Sequence, residues 1–377
     1  MRPIPPQRHL FDIPPEIAYF NVASLAPSLR ASVAAGEQAL RWRAQPWRIR
    51  TPDWFDTVER RRSLFAELIG APADGISLVP TTSYGLGVVA ANLSAGPGDR
   101  VLVLADEYPS GIYTWRRFVG RTGAEIMTVR RERRQRWTDA VLARCDERVA
   151  VVSVPQVHWT DGSLVDLDAI AQRAREIGAA LVVDASQSAG VMPLDVTALD
   201  PDFVVTVGYK WLLGPFALGY LYVAERHREG LGLEDNWIVR EGSDDFAALV
   251  DYRDEYQPGA RRFDAGGRTH FELTPMAIAA LEQLLAWGVD DIAASLRDLT
   301  GRLERGTQDR GLTVRADRGP HMLGIEVPVD ARDRITQALS EAGVYVGPRG
   351  NVLRVTPHLH TTDEDIERLL GALDASM

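Results

Sequence analysis

Seven apolar runs of strand length punctuate residues 75–224, with helix-length segments between most of them, and that alternation leaves few folds open. The runs are GISLVP (75–80), RVLVLAD (100–106), AEIMTV (124–129), VAVVSVP (149–155), AALVVDA (179–185), DFVVTVG (202–208) and LGYLYVA (218–224). They show little alternation of apolar and polar residues, so both faces of each strand are expected to be buried. Burial on both faces is the mark of a mostly parallel sheet covered by helices on either side. TPDWFDTVERRRSLFAELIG (51–70) reads as a helix starting at Thr51 and Pro52, and DLDAIAQRAREIGA (166–179) as one that stops at Gly178.

Beyond residue 224 the rhythm breaks. Residues 241–270 are polar and rich in Gly and Asp, with no clear period. A long helix over 274–306, bent near Gly288, is expected next. HMLGIEVP (321–328), VYVGP (344–348) and NVLRVTP (351–357) read as strands of a smaller α+β unit closed by a helix over 362–376. The expected fold is α/β: a large domain (16–255) with a mostly parallel seven-stranded sheet flanked by helices, and a small domain (256–377, with the segment 1–15). A chain of 377 residues, 45% hydrophobic, has the apolar surface to fill two cores.

Acidic residues outnumber basic ones by 52 to 42, which speaks against a nucleic-acid partner held by net positive charge. The basic run VRRERRQRW (129–137) reads as a solvated edge or loop beside a strand. Cys145 is the one cysteine, so neither an intrachain disulfide nor a cysteine-rich metal site is available. No apolar signal core or membrane-length run is present, so a soluble, cytoplasmic protein without a membrane partner is expected.

Ligands of open parallel sheets gather beyond the C-terminal ends of the strands. The polar residues expected there are Thr81, Thr82 and Ser83, then Glu107 and Tyr108, the stretch His158–Gly162, Asp184 with Gln187, and Tyr209 with Lys210. Asp184 and Lys210 end consecutive strands 26 residues apart and so face one crevice. PTTSYG (80–85) opens a helix whose first amides suit an anion. Lys210 lies between Tyr209 and Trp211 in an apolar neighbourhood, where an ammonium is paired or is neutral and reactive.

LVVDASQSAGVMPLDV (181–196) followed by DFVVTVGYKWLLGPFALGYLYV (202–223) resembles the signature of the class V aminotransferases. These are fold-type I pyridoxal-phosphate enzymes, among them cysteine desulfurases, kynureninases and isopenicillin epimerase-like proteins. The resemblance runs from IAYFNVASLAPSLRASV (17–33) to VLRVTPHLHTTDEDIERLL (352–370). It implies pyridoxal 5′-phosphate as cofactor, held by Lys210 as a Schiff base, with Asp184 on the pyridine nitrogen, Gln187 donating to the phenolic oxygen and Tyr108 stacked on the ring. Thr82, Ser83 and Tyr209 would hold the phosphate; Val207 stands where the family often has a serine or threonine, which leaves Thr206 as a substitute. Gly266 and Gly267 replace the family's Gly-Thr, so a contact to the neighbouring subunit's phosphate would come from the backbone there or from Arg268, with His270 also within reach of that subunit.

For the substrate, the resemblance makes Arg354 the carboxylate-binding arginine; Arg349, in GPRGN, is a second candidate, which would read a distal acidic group. Asn21, Ala23 and Thr160 line the pocket, with His158 and Trp159 in the loop over the cofactor. A homodimer acting on an amino acid, a small-molecule substrate, is implied, with the active site at the interface. Transamination leads. β-Elimination or C–S lysis comes second and kynureninase-like hydrolysis third, while a cofactor-binding sensor stands outside the enzymes. The desulfurase cysteine before the carboxylate arginine is absent, which disfavours persulfide chemistry.

Overall fold

The computed structural model of the protein describes residues 3–376. Its first part comprises β1 (Ala18–Tyr19), α1 (Arg30–Arg43), α2 (Asp56–Leu68), β2 (Ile76–Val79), α3 (Thr82–Asn92), β3 (Arg100–Leu104) and α4 (Pro109–Thr122). There follow β4 (Glu125–Val129), α5 (Trp137–Leu142), β5 (Val149–Pro155), α6 (Leu167–Ile177), β6 (Ala180–Asp184), α7 (Val196–Leu199), β7 (Phe203–Val207) and β8 (Gly219–Val223). All seven expected strands form one sheet, in the order β2-β8-β7-β6-β5-β3-β4. The pairings from β4 across to β7 are parallel, and β8 runs antiparallel to both β7 and β2.

The absence of alternation in the strands has the expected cause. Leu102, Leu104, Val152, Val154, Leu181 and Val183 fill the core on one face of the sheet, and Val101, Val103, Val151, Val182, Phe203 and Val205 that on the other. Successive residues point to opposite faces, and both faces are dry. α6 is capped as its sequence suggests: the Asp166 carboxylate accepts from the Ala169 amide, and Gly178 closes the helix at φ 71°. The segment that opens at Thr51 differs from expectation. Residues 51–54 form a 3₁₀ turn, Phe55 links it to the next helix, and α2 begins at Asp56. Trp54 packs edge-on against Phe271 and Trp237 (centroids 4.9 and 6.0 Å apart), which fixes the turn to the 237–271 loops.

Helices α8 (Leu273–Trp287) and α9 (Val289–Gln308) meet at Gly288, whose φ of 79° breaks the long helix at the expected place. The small sheet is built from β9 (Thr313–Val314), β10 (Leu323–Glu326), β12 (Gly347–Arg349) and β13 (Val352–Val355), in the order β12-β13-β10-β9 and antiparallel throughout. α10 (Arg332–Glu341) and α11 (Asp363–Ser376) complete this unit, and β11 (Val344–Tyr345) pairs in parallel with β1. Leu296 of α9 belongs to the larger core and Leu303 to the smaller, so α9 spans both. No helix among the described residues is long and apolar enough to cross a membrane.

Candidate active site

The C-terminal ends of β2, β3, β5, β6 and β7 open on one cleft, and Thr82, Tyr108, Trp159, Asp184, Gln187 and Lys210 are among the residues lining it. A tight turn after β7 delivers the lysine. A side chain at Gly208 would lie 2.8 Å from the Leu218 carbonyl, so only glycine lets the chain fold back there. Lys210 is buried, and desolvation pulls its amine down from 10.5 to about 8; Arg354 and Arg349 act in the same direction, Asp184 against it. The Asp184 carboxylate accepts from the Ser186 amide at 2.9 Å and lines the same cleft as the amine.

Gln187 is held from behind. The Trp211 indole donates to its Oε1 at 2.9 Å, and its Nε2 donates to the Ala23 carbonyl at 3.2 Å. An indole N–H can only donate, so this contact settles which end of the amide is oxygen and leaves a second Nε2 hydrogen for a ligand. His321 packs edge-on against Trp211 with its Nε2 2.6 Å from the Gln187 carbonyl. The residue next to the lysine therefore orients the glutamine three positions after the aspartate.

The anion end is the N-terminus of α3. Thr81 caps it by accepting from the Tyr84 amide at 3.1 Å, and the Thr82 hydroxyl meets that of Ser186 at 3.2 Å. The first amides of a helix have no acceptor within it, so those of Thr82 and Ser83 remain for an anion. Aromatic rings form the walls. Lys210 Nζ lies 5.4 Å from the Tyr108 ring centroid and 5.9 Å from that of Tyr209. Tyr108 meets Trp159 edge-on, and Tyr209 packs on Phe216. A buried amine and a carboxylate flank this slot, and open helix amides lie at one end, a donor set that fits pyridoxal phosphate.

The remaining expected residues divide. Arg354 Nη1 donates to the Trp159 carbonyl and Nη2 to the Ser24 hydroxyl, both at 2.7 Å. Arg349 lies beside it. Asn21 is packed against Gly347 next to Arg354, and Ala23 contributes its carbonyl. Thr160 turns its hydroxyl to His158 Nδ1 (2.7 Å), and it is Trp159 that lines the cleft. Thr206 is not a substitute for Val207: it is buried on the opposite face of β7, as strand alternation requires, while Val207 lines the cleft. Arg268 is buried with its guanidinium on Asp264, which removes it as a donor to another subunit. Gly267 lies outside the cleft and faces open space; His270, half-buried at φ 40°, is likewise outside.

Glu107, a strand-end residue without an assigned role, lines the cleft; burial lifts it to about 8 against the Tyr108 amide it accepts, and Asp184 adds to the rise. Ser24, Ser110, Ser186 and Phe216 join the site without having been singled out in the sequence; Ser24 meets Arg354, and the Ser186 hydroxyl meets Thr82, only through the fold. No cluster of metal-ligating side chains occurs among the described residues.

The aminotransferase class-V family matches residues 37–369. An uncharacterized aminotransferase, YcbU, of Bacillus subtilis (strain 168) is 29% identical over 334 residues, covering 86% of this chain and 85% of its own length. Isopenicillin N epimerase of Streptomyces clavuligerus is 30% identical over 337 residues, covering 83% of each. Among solved structures, a C-DES mutant with glycine covalently linked to its PLP cofactor aligns with a TM-score of 0.89 over 99% of this chain and 100% of that one. At 19% identity that likeness concerns the fold.

Proposed function

Since the chain belongs to the class V aminotransferases, and is therefore an enzyme that works with pyridoxal 5′-phosphate, we propose that it transaminates an amino acid with Lys210 as the proton carrier. One observation carries this reading. Lys210 is the only lysine among the 42 lysines and arginines of the chain, and it stands in the cleft with its amine poised near neutrality. Every other cation is a guanidinium, which does not lose its proton in a protein and does not compete for an aldehyde.

In this reading Lys210 would hold the aldehyde and, as a free amine, would take the proton from the substrate's Cα and return it two atoms away, across the nitrogen. Asp184 would keep a proton on the ring nitrogen, and Gln187 would donate its free amide hydrogen to the ring oxygen. Tyr108 would stack on the ring. Thr82, Ser83 and Tyr209 would hold the phosphate, with the backbone at Gly267 reaching the site of a second subunit. Arg354 would fix the substrate carboxylate beside Asn21 and Ala23, with Trp159 rather than Thr160 lining the cleft. When bound, the cofactor supplies the electron sink that makes the α-proton removable.

Persulfide transfer has no carrier here. Cys145 is buried in the larger core, and burial lifts its thiol to about 11. Adding amino acids singly to the yellow holoenzyme tests the reaction. The expected result is loss of the yellow band with one 2-oxo acid formed per site and no free ammonia. Pyruvate with ammonia would mark elimination, and inversion at Cα without a 2-oxo acid would mark epimerisation; either overturns transamination.

A homodimer completes the proposal. Phe216 at the cleft and Tyr113 on the adjoining α4 are 63% and 64% exposed, apolar surface that a second copy would cover. Sedimentation at micromolar concentration should give twice the 41.6 kDa chain mass, and a monomer would remove this part of the reading. A cytoplasmic location accords with a single, buried cysteine.

A further inference from the structure

We infer that the substrate carries a second acidic group, and that Arg349 and Arg354 form a two-armed site for an α-amino dicarboxylic acid; this rests on the transaminase reading and names its substrate class. The register of the small sheet puts the two side chains together. Arg354 of β13 faces Gly347 of β12, and Arg349 follows two residues along the same strand, hence on the same face. Gly347 clears the space: a Cβ there would lie 3.3 Å from Arg354 Nη2 and 2.8 Å from Asn21 Oδ1.

Both guanidinium groups turn toward one oxygen. Arg354 Nη2 donates to Ser24 Oγ at 2.7 Å and Arg349 Nη2 to the same atom at 3.4 Å. Their other contacts are carbonyls, that of Trp159 for Arg354 and that of Pro348 for Arg349. Trp159 joins the pair to the cleft, with its ring 5.3 Å below the Arg349 guanidinium. No carboxylate meets either arginine among the described residues, whereas Arg62 and Arg268, as deeply buried as Arg354, both bind Asp264. Arg349 Nε, Arg354 Nε and Asn21 Oδ1 are all buried without a partner.

Two cations that share a neutral hydroxyl repel each other, and both also act on Lys210. One α-carboxylate brings a single negative charge. It would satisfy Arg354, the deeper of the two, and leave Arg349 uncompensated. A second carboxylate balances the site, and a planar fork such as Arg349 suits it.

Amine-free carboxylates test this on the holoenzyme without turnover. Succinate, glutarate and adipate are compared with butyrate by following the pH midpoint of the yellow band. Besides Asp184, Glu107, Tyr108 and Tyr209, the titratable groups of the cleft around Lys210 are these two arginines, so a bound dianion should raise the midpoint. At least one dicarboxylate is expected to raise it saturably and to bind about tenfold or more tightly than butyrate. In Arg349→Gln that advantage should vanish while butyrate still binds. Equal affinities and shifts for all four acids, no saturable shift with any dicarboxylate, or equal weakening of all four in Arg349→Gln would each overturn the inference. Absence of a yellow band in the wild type would instead defeat the reading beneath it.

Discussion

Lys210→Ala is expected to abolish the yellow band and to slow turnover on the order of 10³–10⁴-fold, the combined loss of a proton carrier and of the covalent hold on the aldehyde. The chain makes this test unusually clean. With no second lysine, no other side chain can take over the aldehyde, and borohydride reduction should place the label at residue 210 alone. Survival of the band in Lys210→Ala would sink the assignment. The amine's depressed value also sets the pH dependence. Capture of the aldehyde by apoprotein needs the free amine, so its rate should climb with pH and level off above about 8, where an ordinary lysine would go on climbing to 10.5. The sign for stability follows from proton counting. Between about 8 and 10.5 the unfolded chain holds a proton on this amine that the folded chain has released, so the wild-type apoprotein gains stability with rising pH in that window. Lys210→Ala should lack that gain, which the difference between the two urea-unfolding midpoints at pH 7.5 and pH 9.5 measures.

The larger sheet was legible because burial on both faces leaves a direct trace, an apolar run with little alternation, in every strand but the half-exposed edge strand β4. The cleft was legible for the same reason at one remove: once the strands are placed, Tyr108, Asp184 and Lys210 must gather at their ends. Lysine counted alone is a stronger signal than either motif, since one lysine in 377 residues leaves one candidate for an aldehyde. What stayed hidden depends on contacts between distant parts of the chain. Ser24 and Arg354 are 330 positions apart, and nothing near either announces the other. Charge misleads in the same way. ERRR at 59–62 has the look of a solvated helix face, yet Arg61 and Arg62 are almost wholly buried. Arg268, in a stretch without periodicity, suggests a phosphate ligand, and its guanidinium is bound to Asp264 instead.

Asp264→Asn should therefore cost about 3–5 kcal/mol of folding stability, the range for leaving buried charges unpaired. The Asp264 and Arg62 side chains are wholly buried and that of Arg268 is 1% exposed. Asp264 Oδ2 accepts from Arg62 at 2.6 Å and from Arg268 at 2.5 Å, while Oδ1 accepts from the Leu78 amide at 2.7 Å and from Arg62 at 3.2 Å. An asparagine of the same shape would turn two donor hydrogens toward groups that themselves donate. The loss would not stay local. β2 is an edge strand, and the loop after Phe263 covers that edge through the Asp264–Leu78 contact and a hydrogen bond from the Ala265 amide to the Leu78 carbonyl. Loosening it exposes the strand that leads into α3, the anion end of the cleft. Burial by itself would raise the Asp264 carboxyl; Arg62 and then Arg268 outweigh it and hold it below its ordinary 3.8. Its contribution is accordingly present above that value and lost as pH falls through the depressed folded one, so wild type and variant should converge in strong acid. Glu37→Gln supplies the contrast. Glu37 pairs with Arg41 at 3.4 Å across an exposed helix face, and its loss should cost less than about 0.5 kcal/mol. Urea unfolding of both variants reads the difference, and a cost below about 1 kcal/mol for Asp264→Asn would show that this carboxylate does not hold the edge of the sheet.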